Sequence, residues 1–215
     1  MKSYIVIGLG RFGIEVGREL CELGNEVLAI DIHPDLVQQI ANSVTHAAVA
    51  DSKDKEVLRA MGVRNFDCAI VAIGGNFGDS VLTTMNLKEL GVPRIICKAQ
   101  DETHRRVLEK VGADRVVIPE REFANRLARS LTSSNVLDYI ELSNEYGIVE
   151  LPAPKVWAGK TLKELNIRAT LGINIIAVKR HEETMVSPNA QFTVESDDIL
   201  VVLGENSALN KVQKL

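Results

Sequence analysis

The sequence predicts an α/β chain: a Rossmann-type, doubly wound parallel sheet of six strands, followed by a small α+β domain. Two observations carry this. Apolar, β-branched runs alternate with helical patterns through about the first 118 residues. Several of those runs are apolar at nearly every position, as in strands covered on both faces. The first run, Ile5-Val6-Ile7, leads straight into Gly8-Leu9-Gly10-Arg11-Phe12-Gly13. An acid, Asp31, closes the second run 18 residues after Gly13.

In chain order, strands are expected at 4–7, 26–30, 45–49, 68–73, 94–98 and 115–118. Helical patterns fall between them at 12–23, 34–42, 53–61, 79–90 and 102–111. Gly24, Gly62, Gly91 and Gly112 each follow a helix at the position where a left-handed cap is wanted. Strict β-α alternation of this kind places a ligand crevice at the carboxyl ends of the strands. The rhythm then changes. Pro119 suits the first turn of a crossover helix running to 131, and Thr132-Ser133-Ser134-Asn135 reads as a break. Two domains follow from this, 1–134 and 135–215. In the second, short hairpin-like strands are expected near 136–142, 148–151, 174–179, 185–186 and 199–203. Thr161 and Glu164 form a capping-box pattern for a short helix, and a last helix is expected near 206–213.

The glycine motif has a mechanical reading. Gly8 permits the tight turn, Gly10 lets a phosphate approach the backbone, and Gly13 lets the helix pack closely on the strand. The helix N-terminus offers N–H groups and a positive dipole end to phosphate. Asp31 can accept from ribose hydroxyls and would repel a 2′-phosphate. No Arg or Lys among Ile32, His33 and Pro34 stands by to hold one, which argues against NADP. The third strand ends in Asp51-Ser52 at the crevice rim, where Asp51 either meets adenine or caps the helix near Lys53. The fourth ends in Ile73-Gly74-Gly75-Asn76, where missing side chains admit a ligand. Lys98 and Gln100 close the fifth. Arg11, inside the loop, could reach a further phosphate, or it is simply a solvent-facing residue of the helix first turn.

Other chemistries find little material. The formal net charge of −4 argues against a general affinity for nucleic acid. The longest uncharged apolar runs are far short of the roughly 20 residues a membrane span needs. No secretory leader pattern opens the chain. Cys21, Cys68 and Cys97 read as buried small hydrophobes of a reducing compartment. The four histidines are scattered and read as surface or capping residues. Neither zinc-ligand spacing nor a phosphate-binding P-loop is present, and no acid/base pair suggests catalysis. A non-enzymatic cytoplasmic protein is expected.

At Gly8–Gly13, Asp31, Arg64-Asn65-Phe66-Asp67, Val71-Ala72-Ile73-Gly74, Lys98-Ala99-Gln100 and Val111-Gly112-Ala113-Asp114, the chain resembles the RCK (TrkA-type) regulators of potassium transporters, nearest their Ktr branch. The likeness continues through Asn135-Val136-Leu137-Asp138-Tyr139 and Ile167-Arg168-Ala169. It implies a homo-octameric ring, built from dimers, that binds ATP or ADP. The ring would dock at the inner face of the membrane on a KtrB-like, membrane-embedded potassium channel subunit. It implies that Arg11 senses the γ-phosphate across a subunit interface and that Asp31 holds the ribose. Glu120 would lie near the phosphates and a divalent cation, magnesium or calcium. Its other reading is an acid favoured in a helix first turn. The nucleotide set is then Gly8, Gly10, Arg11, Phe12, Gly13, Asp31, Ile32, Asp51, Ser52, Ile73, Gly74, Lys98 and Glu120. In the second domain the resemblance implies a cyclic di-AMP site at Ile167, Arg168, Asn174, Ile175 and Pro188, with one arginine per subunit gripping each phosphodiester. Otherwise the isoleucines are ordinary core. The competing reading is an NAD-dependent oxidoreductase or an NAD(H)-binding redox sensor, since Asp31 serves NAD equally well.

Overall fold

The computed structural model describes residues 1–132, 138–143 and 145–212. The chain divides into two compact units, Met1–Pro119 and Glu120–Leu215.

The first unit runs β1 (Ser3–Ile7), α1 (Arg11–Glu22), β2 (Glu26–Asp31), α2 (Pro34–Ile40), β3 (His46–Val49), α3 (Lys55–Ala60), β4 (Cys68–Val71), α4 (Phe77–Glu89), β5 (Ile95–Lys98), α5 (Glu102–Val111) and β6 (Arg115–Val117), with one 3-10 turn at Val63–Asn65. The strands are parallel in the order β3-β2-β1-β4-β5-β6, so the direction of winding reverses between β1 and β4. Alternation along β1 explains the two layers. Ile5 and Ile7 face a cluster with Leu58, Leu87, Ile95 and Leu108, whereas Val6 faces one with Val27, Ile40 and Ile70. Both faces are apolar, as the continuous runs require.

Local chemistry moved some boundaries. The sequence starts the third helix near Lys53, but Asp54 is the cap, accepting from the Glu56 and Val57 N–H groups. The fourth starts at Phe77 rather than Asp79, because Asn76 accepts from the Gly78 and Asp79 N–H groups. The run expected at 68–73 leaves the sheet after Val71, and Ile73 turns toward the crevice. Gly112 closes α5 with φ +117. Cys68 and Cys97 are buried as small hydrophobes, and burial pushes the Cys97 thiol up to about 11 although Thr84 bonds to it.

The second unit contains α6 (Pro119–Thr132, whose first residue belongs to the other unit), β7 (Asp138–Glu141), β8 (Tyr146–Pro152), a 3-10 turn (Lys155–Trp157), α7 (Leu162–Leu165), α8 (Ile167–Leu171), β9 (Ile173–Arg180), β10 (Glu183–Val186), β11 (Ile199–Glu205) and α9 (Asn206–Val212). Its antiparallel sheet has the order β10-β9-β11-β8-β7. Val149, Leu151, Trp157, Val178, Leu200 and Leu209 fill the core beneath it. On α6, Phe123, Leu127 and Leu131 form an exposed apolar stripe at four-residue spacing. The expected capping box is present: Thr161 Oγ1 accepts from Glu164 N–H, and Glu164 accepts from Thr161 N–H. A second short helix, the five-residue α8, begins after Asn166 in the left-handed region (φ +45) and is not marked by the capping-box pattern. Residues 133–137 and 213, included in the expected break, strand and last helix, lie outside the described residues.

One ion pair ties this unit together. Asp198 is fully buried and accepts from Arg180 Nε (2.7 Å), Arg180 Nη2 (2.9 Å) and Glu195 N–H (2.8 Å). Burial alone would raise its pKa, but the Arg180 and Glu195 bonds win and hold it below the ordinary value of 3.8. A depressed carboxylate contributes stability above its unfolded pKa and loses it as pH falls through the folded value, here below 3.8. Arg180→Met is expected to cost roughly 2–3 kcal/mol, less than for a fully buried pair because Arg180 is partly exposed. Thermal unfolding should register that loss and its partial recovery in Arg180→Met with Asp198→Asn, while an undiminished melting temperature for Arg180→Met would refute the assignment.

Candidate functional site: the crevice at β1 and a cavity beside β9

The crevice begins where β1 ends. Gly8 has φ +94, and a Cβ there would lie 2.9 Å from the Ile73 backbone nitrogen. At Gly13 a Cβ would fall 1.9 Å from the Gly8 carbonyl oxygen, so only glycine permits α1 to start this close to the strand. A Cβ on Gly10, by contrast, would meet nothing within 4 Å. Gly10 is the N-cap of α1 and lends no side-chain cap, and no acid stands in the first turn. The helix therefore presents first-turn N–H groups and an uncompensated positive dipole end at the strand-order reversal.

Asp31, at the end of β2, is the polar centre of this region. Its Oδ2 accepts from Leu9 N–H at 2.6 Å, and its Oδ1 from His33 N–H at 2.9 Å and His33 Nδ1 at 2.8 Å. Burial pushes its pKa up, but the hydrogen bonds from Leu9 and His33 outweigh that and leave it below 3.8. It is ionised at neutral pH and acceptor-only.

Around it the sequence-predicted residues divide. Ile32 is half-exposed beside Asp31. Lys98, ending β5, carries its Nζ 5.8 Å from the Phe12 ring centre, and a methyl on Gly74 would lie 4.0 Å from that nitrogen. Phe12, Gly74 and Lys98 thus share one wall with Ile73, and the Gln100 amide donates to the Gly74 carbonyl. Arg11 is exposed in the first turn of α1 and has no hydrogen-bond or ion-pair partner among the described residues. Asp51 is half-exposed; it accepts from Lys53 N–H in a local turn, and Asp54 takes the capping role. Ser52 is buried with its hydroxyl bonded to Thr83 on α4, 2.9 Å away. Glu120 stands in the first turn of α6, at the start of the other unit.

The scattered histidines are expected at surface or capping positions. His33, His46 and His181 are exposed, but His104 lies on the buried face of α5. It accepts from Gln100 N–H at 3.3 Å and packs on Phe77, and burial lowers its pKa although Asp101 pulls the other way. It follows the apolar i, i+4 spacing with Leu108, a signal that was available. No group of three or more His, Cys, Asp or Glu that could hold a metal occurs among the described residues.

The second unit holds a cavity of about 330 Å³. Ile167, Arg168, Asn174, Ile175 and Pro188, all named from sequence, line it together. Leu162, Lys163, Asn166 and Ala190 line it too and were not named, although the capping box already put Leu162 and Lys163 on a helix there. Backbone bonds from Leu162 to Phe192, Lys163 to Ala190 and Ser187 to Ile176 hold the walls. Arg168 and Lys163 have no ion-pair partner among the described residues. An apolar hollow with two unpaired cations at its edge suits a flat, anionic ligand.

Comparison with known proteins gives two family matches, the TrkA-N domain over residues 4–119 and the TrkA-C domain over 147–215. The chain is 49% identical over 213 residues to Ktr system potassium uptake protein C of Bacillus subtilis, covering 99% of this chain and 96% of that protein. It is 43% identical over 212 residues to Ktr system potassium uptake protein A of the same organism, with the same coverage. The crystal structure of the GsuK RCK domain superimposes with a TM-score of 0.69 at 22% identity, covering all of this chain and 47% of that one.

Two glycine substitutions should separate folding from binding. Gly13→Ala is expected to destabilise the first unit by about 3 kcal/mol or more, since backbone must move. Gly10→Ala should cost no more than about 1 kcal/mol, the N-cap penalty, yet place a methyl where phosphate would lie. Denaturant unfolding and adenine-nucleotide titration check this, and equal stability losses for both variants would contradict it.

Proposed function

Because the chain belongs to the TrkA family, with a TrkA-N domain followed by a TrkA-C domain, we propose that it is a nucleotide-sensing regulatory subunit of a potassium uptake system of the Ktr type. The observation that carries this reading is the end-to-end similarity to two Ktr system potassium uptake proteins. The crevice geometry agrees: an uncapped helix N-terminus, a glycine loop with room at Gly10, and an ionised Asp31 fit the phosphates and ribose of an adenine nucleotide. No helix among the described residues is long and apolar enough to cross a membrane, so transport would belong to a membrane-embedded, KtrB-like partner. The exposed stripe of Phe123, Leu127 and Leu131 supports assembly into a ring of dimers, with eight copies as the family resemblance implies.

ATP and ADP share their adenosine contacts and differ at the terminal phosphate. Only a group reaching that phosphate can bias a conformational equilibrium. Arg11, exposed and unpaired among the described residues at the helix N-terminus, is the group we assign to it. Shifting a two-state assembly from 1:99 to 99:1 takes about 5.5 kcal/mol. Shared among eight sites this is about 0.7 kcal/mol each, less than the roughly 1.5–3 kcal/mol of one charge-assisted hydrogen bond. Glu120 is the candidate carboxylate for a divalent cation; with no carboxylate cluster among the described residues, no step is assigned to the metal. NAD(H) would use the same grip on the ribose. The regulatory reading is preferred to an oxidoreductase because two relatives at 49% and 43% identity over 99% of the chain are Ktr system potassium uptake proteins.

The cavity beside β9 is assigned to cyclic di-AMP. Adenine would pack among Ile167, Ile175 and Pro188, and Arg168 would meet a phosphodiester.

Calorimetric titration tests both sites. Arg11→Ala is expected to leave ADP affinity nearly intact and to erase the preference for ATP, and equal losses for both nucleotides would reject the assignment. Asp31→Ala should weaken every adenosine ligand. Arg168→Ala is expected to weaken cyclic di-AMP by about tenfold or more without changing ATP binding. Potassium flux through the reconstituted complex that ignored a switch from ATP to ADP would sink the regulatory reading.

A further inference from the structure

The adenosine end of the crevice already has an occupant from this chain. An ionised carboxylate offers about four acceptor positions on its two oxygens. On Asp31 three are in use: Leu9 N–H on Oδ2, and both His33 N–H and His33 Nδ1 on Oδ1. Since the carboxylate can only accept, Nδ1 carries the proton of its 2.8 Å contact. A ribose anchored on this acid brings two neighbouring hydroxyls, each donating one bond. One open position cannot serve two donors.

We propose that His33 is a built-in competitor for the ribose, whose ring must leave Asp31 before both hydroxyls can bind. This rests on the reading of the crevice as an adenine-nucleotide site. The three contacts are not equally able to yield. Leu9 N–H belongs to the glycine loop, and His33 N–H is fixed by the chain entering α2. Only the imidazole can rotate away. Its side chain is 66% exposed whereas that of Asp31 is 10% exposed, so the ring can swing into water without uncovering any core. Departure still leaves Asp31 two backbone donors, which keep the acid ionised and in place. The ring therefore sets a threshold on nucleotide affinity, and it sets it more strongly for ligands that need the second hydroxyl.

The experiment titrates the full chain with ATP and with 2′-deoxy-ATP, comparing wild type, His33→Ala and His33→Phe. Phenylalanine keeps a ring of similar size and removes the donor. ATP affinity is expected to rise roughly three- to tenfold in both variants, the range of one exposed hydrogen bond. Affinity for 2′-deoxy-ATP, which has one hydroxyl for the one open position, should change by less than about twofold. An unchanged or weakened ATP affinity in both variants overturns the proposal. So do equal gains for the two nucleotides, or a gain in His33→Ala that His33→Phe lacks, which would make bulk the cause. Wild-type protein that bound neither nucleotide would defeat the crevice reading itself. Measurable binding without a His33 effect defeats only the competition.

Discussion

The first turn of α1 sits against the end of β1 at a separation that no side chain at position 13 could tolerate. A single added carbon would overlap the Gly8 carbonyl at 1.9 Å. Everything in the first unit's crevice follows from that closeness. It aims the helix N-terminus across the ends of the central strands, and it carries Leu9 N–H to within 2.6 Å of Asp31 on the next strand. The loop is consequently pinned at both ends by backbone geometry. The backbone it would offer a phosphate is a set of fixed N–H groups, an arrangement that needs little reorganisation when an anion arrives.

Asp31 links that loop to the end of β2. Its ionised state is maintained by donors of this chain, against the burial that opposes it. The same donors consume the acceptor capacity a ligand would use. In the proposed site, structure and ligand recognition would therefore draw on one carboxylate, with His33 the part of the arrangement free to move. The group proposed to tell ATP from ADP, Arg11, stands instead at the helix start, and Lys98 ends β5.

The second unit solves a different problem. With only 96 residues it needs strong local ties, and the bond pattern supplies them. Arg180 gathers Asp198, Glu195 and the Thr193 carbonyl, while its guanidinium lies 5.1 Å from the Phe192 ring centre. Those contacts order the segment running from Ser187 to Asp198, whose backbone also pairs with Leu162 and Lys163. The cavity wall is thereby a by-product of the stabilising network. A ligand bound there would bear on the same segment that Arg180 ties to the end of β9.

Period and punctuation in the sequence determined the six-strand alternation, the glycine loop, Asp31 and the capping box at Thr161. Each depends on residues near one another in the chain, and each has a local physical cause: alternating burial, a steric demand for glycine, a polar side chain able to cap. Family likeness added five residues of the cavity that local rules could not connect. Tertiary structure alone decided what those residues meet. It turned Ser52 inward to Thr83, set Asn166 and Ala190 beside the other cavity residues, and brought Leu9 N–H to Asp31. No local rule pairs Leu9 with Asp31 or Ser52 with Thr83, because these groups stand 22 and 31 positions apart and meet only when the sheet forms.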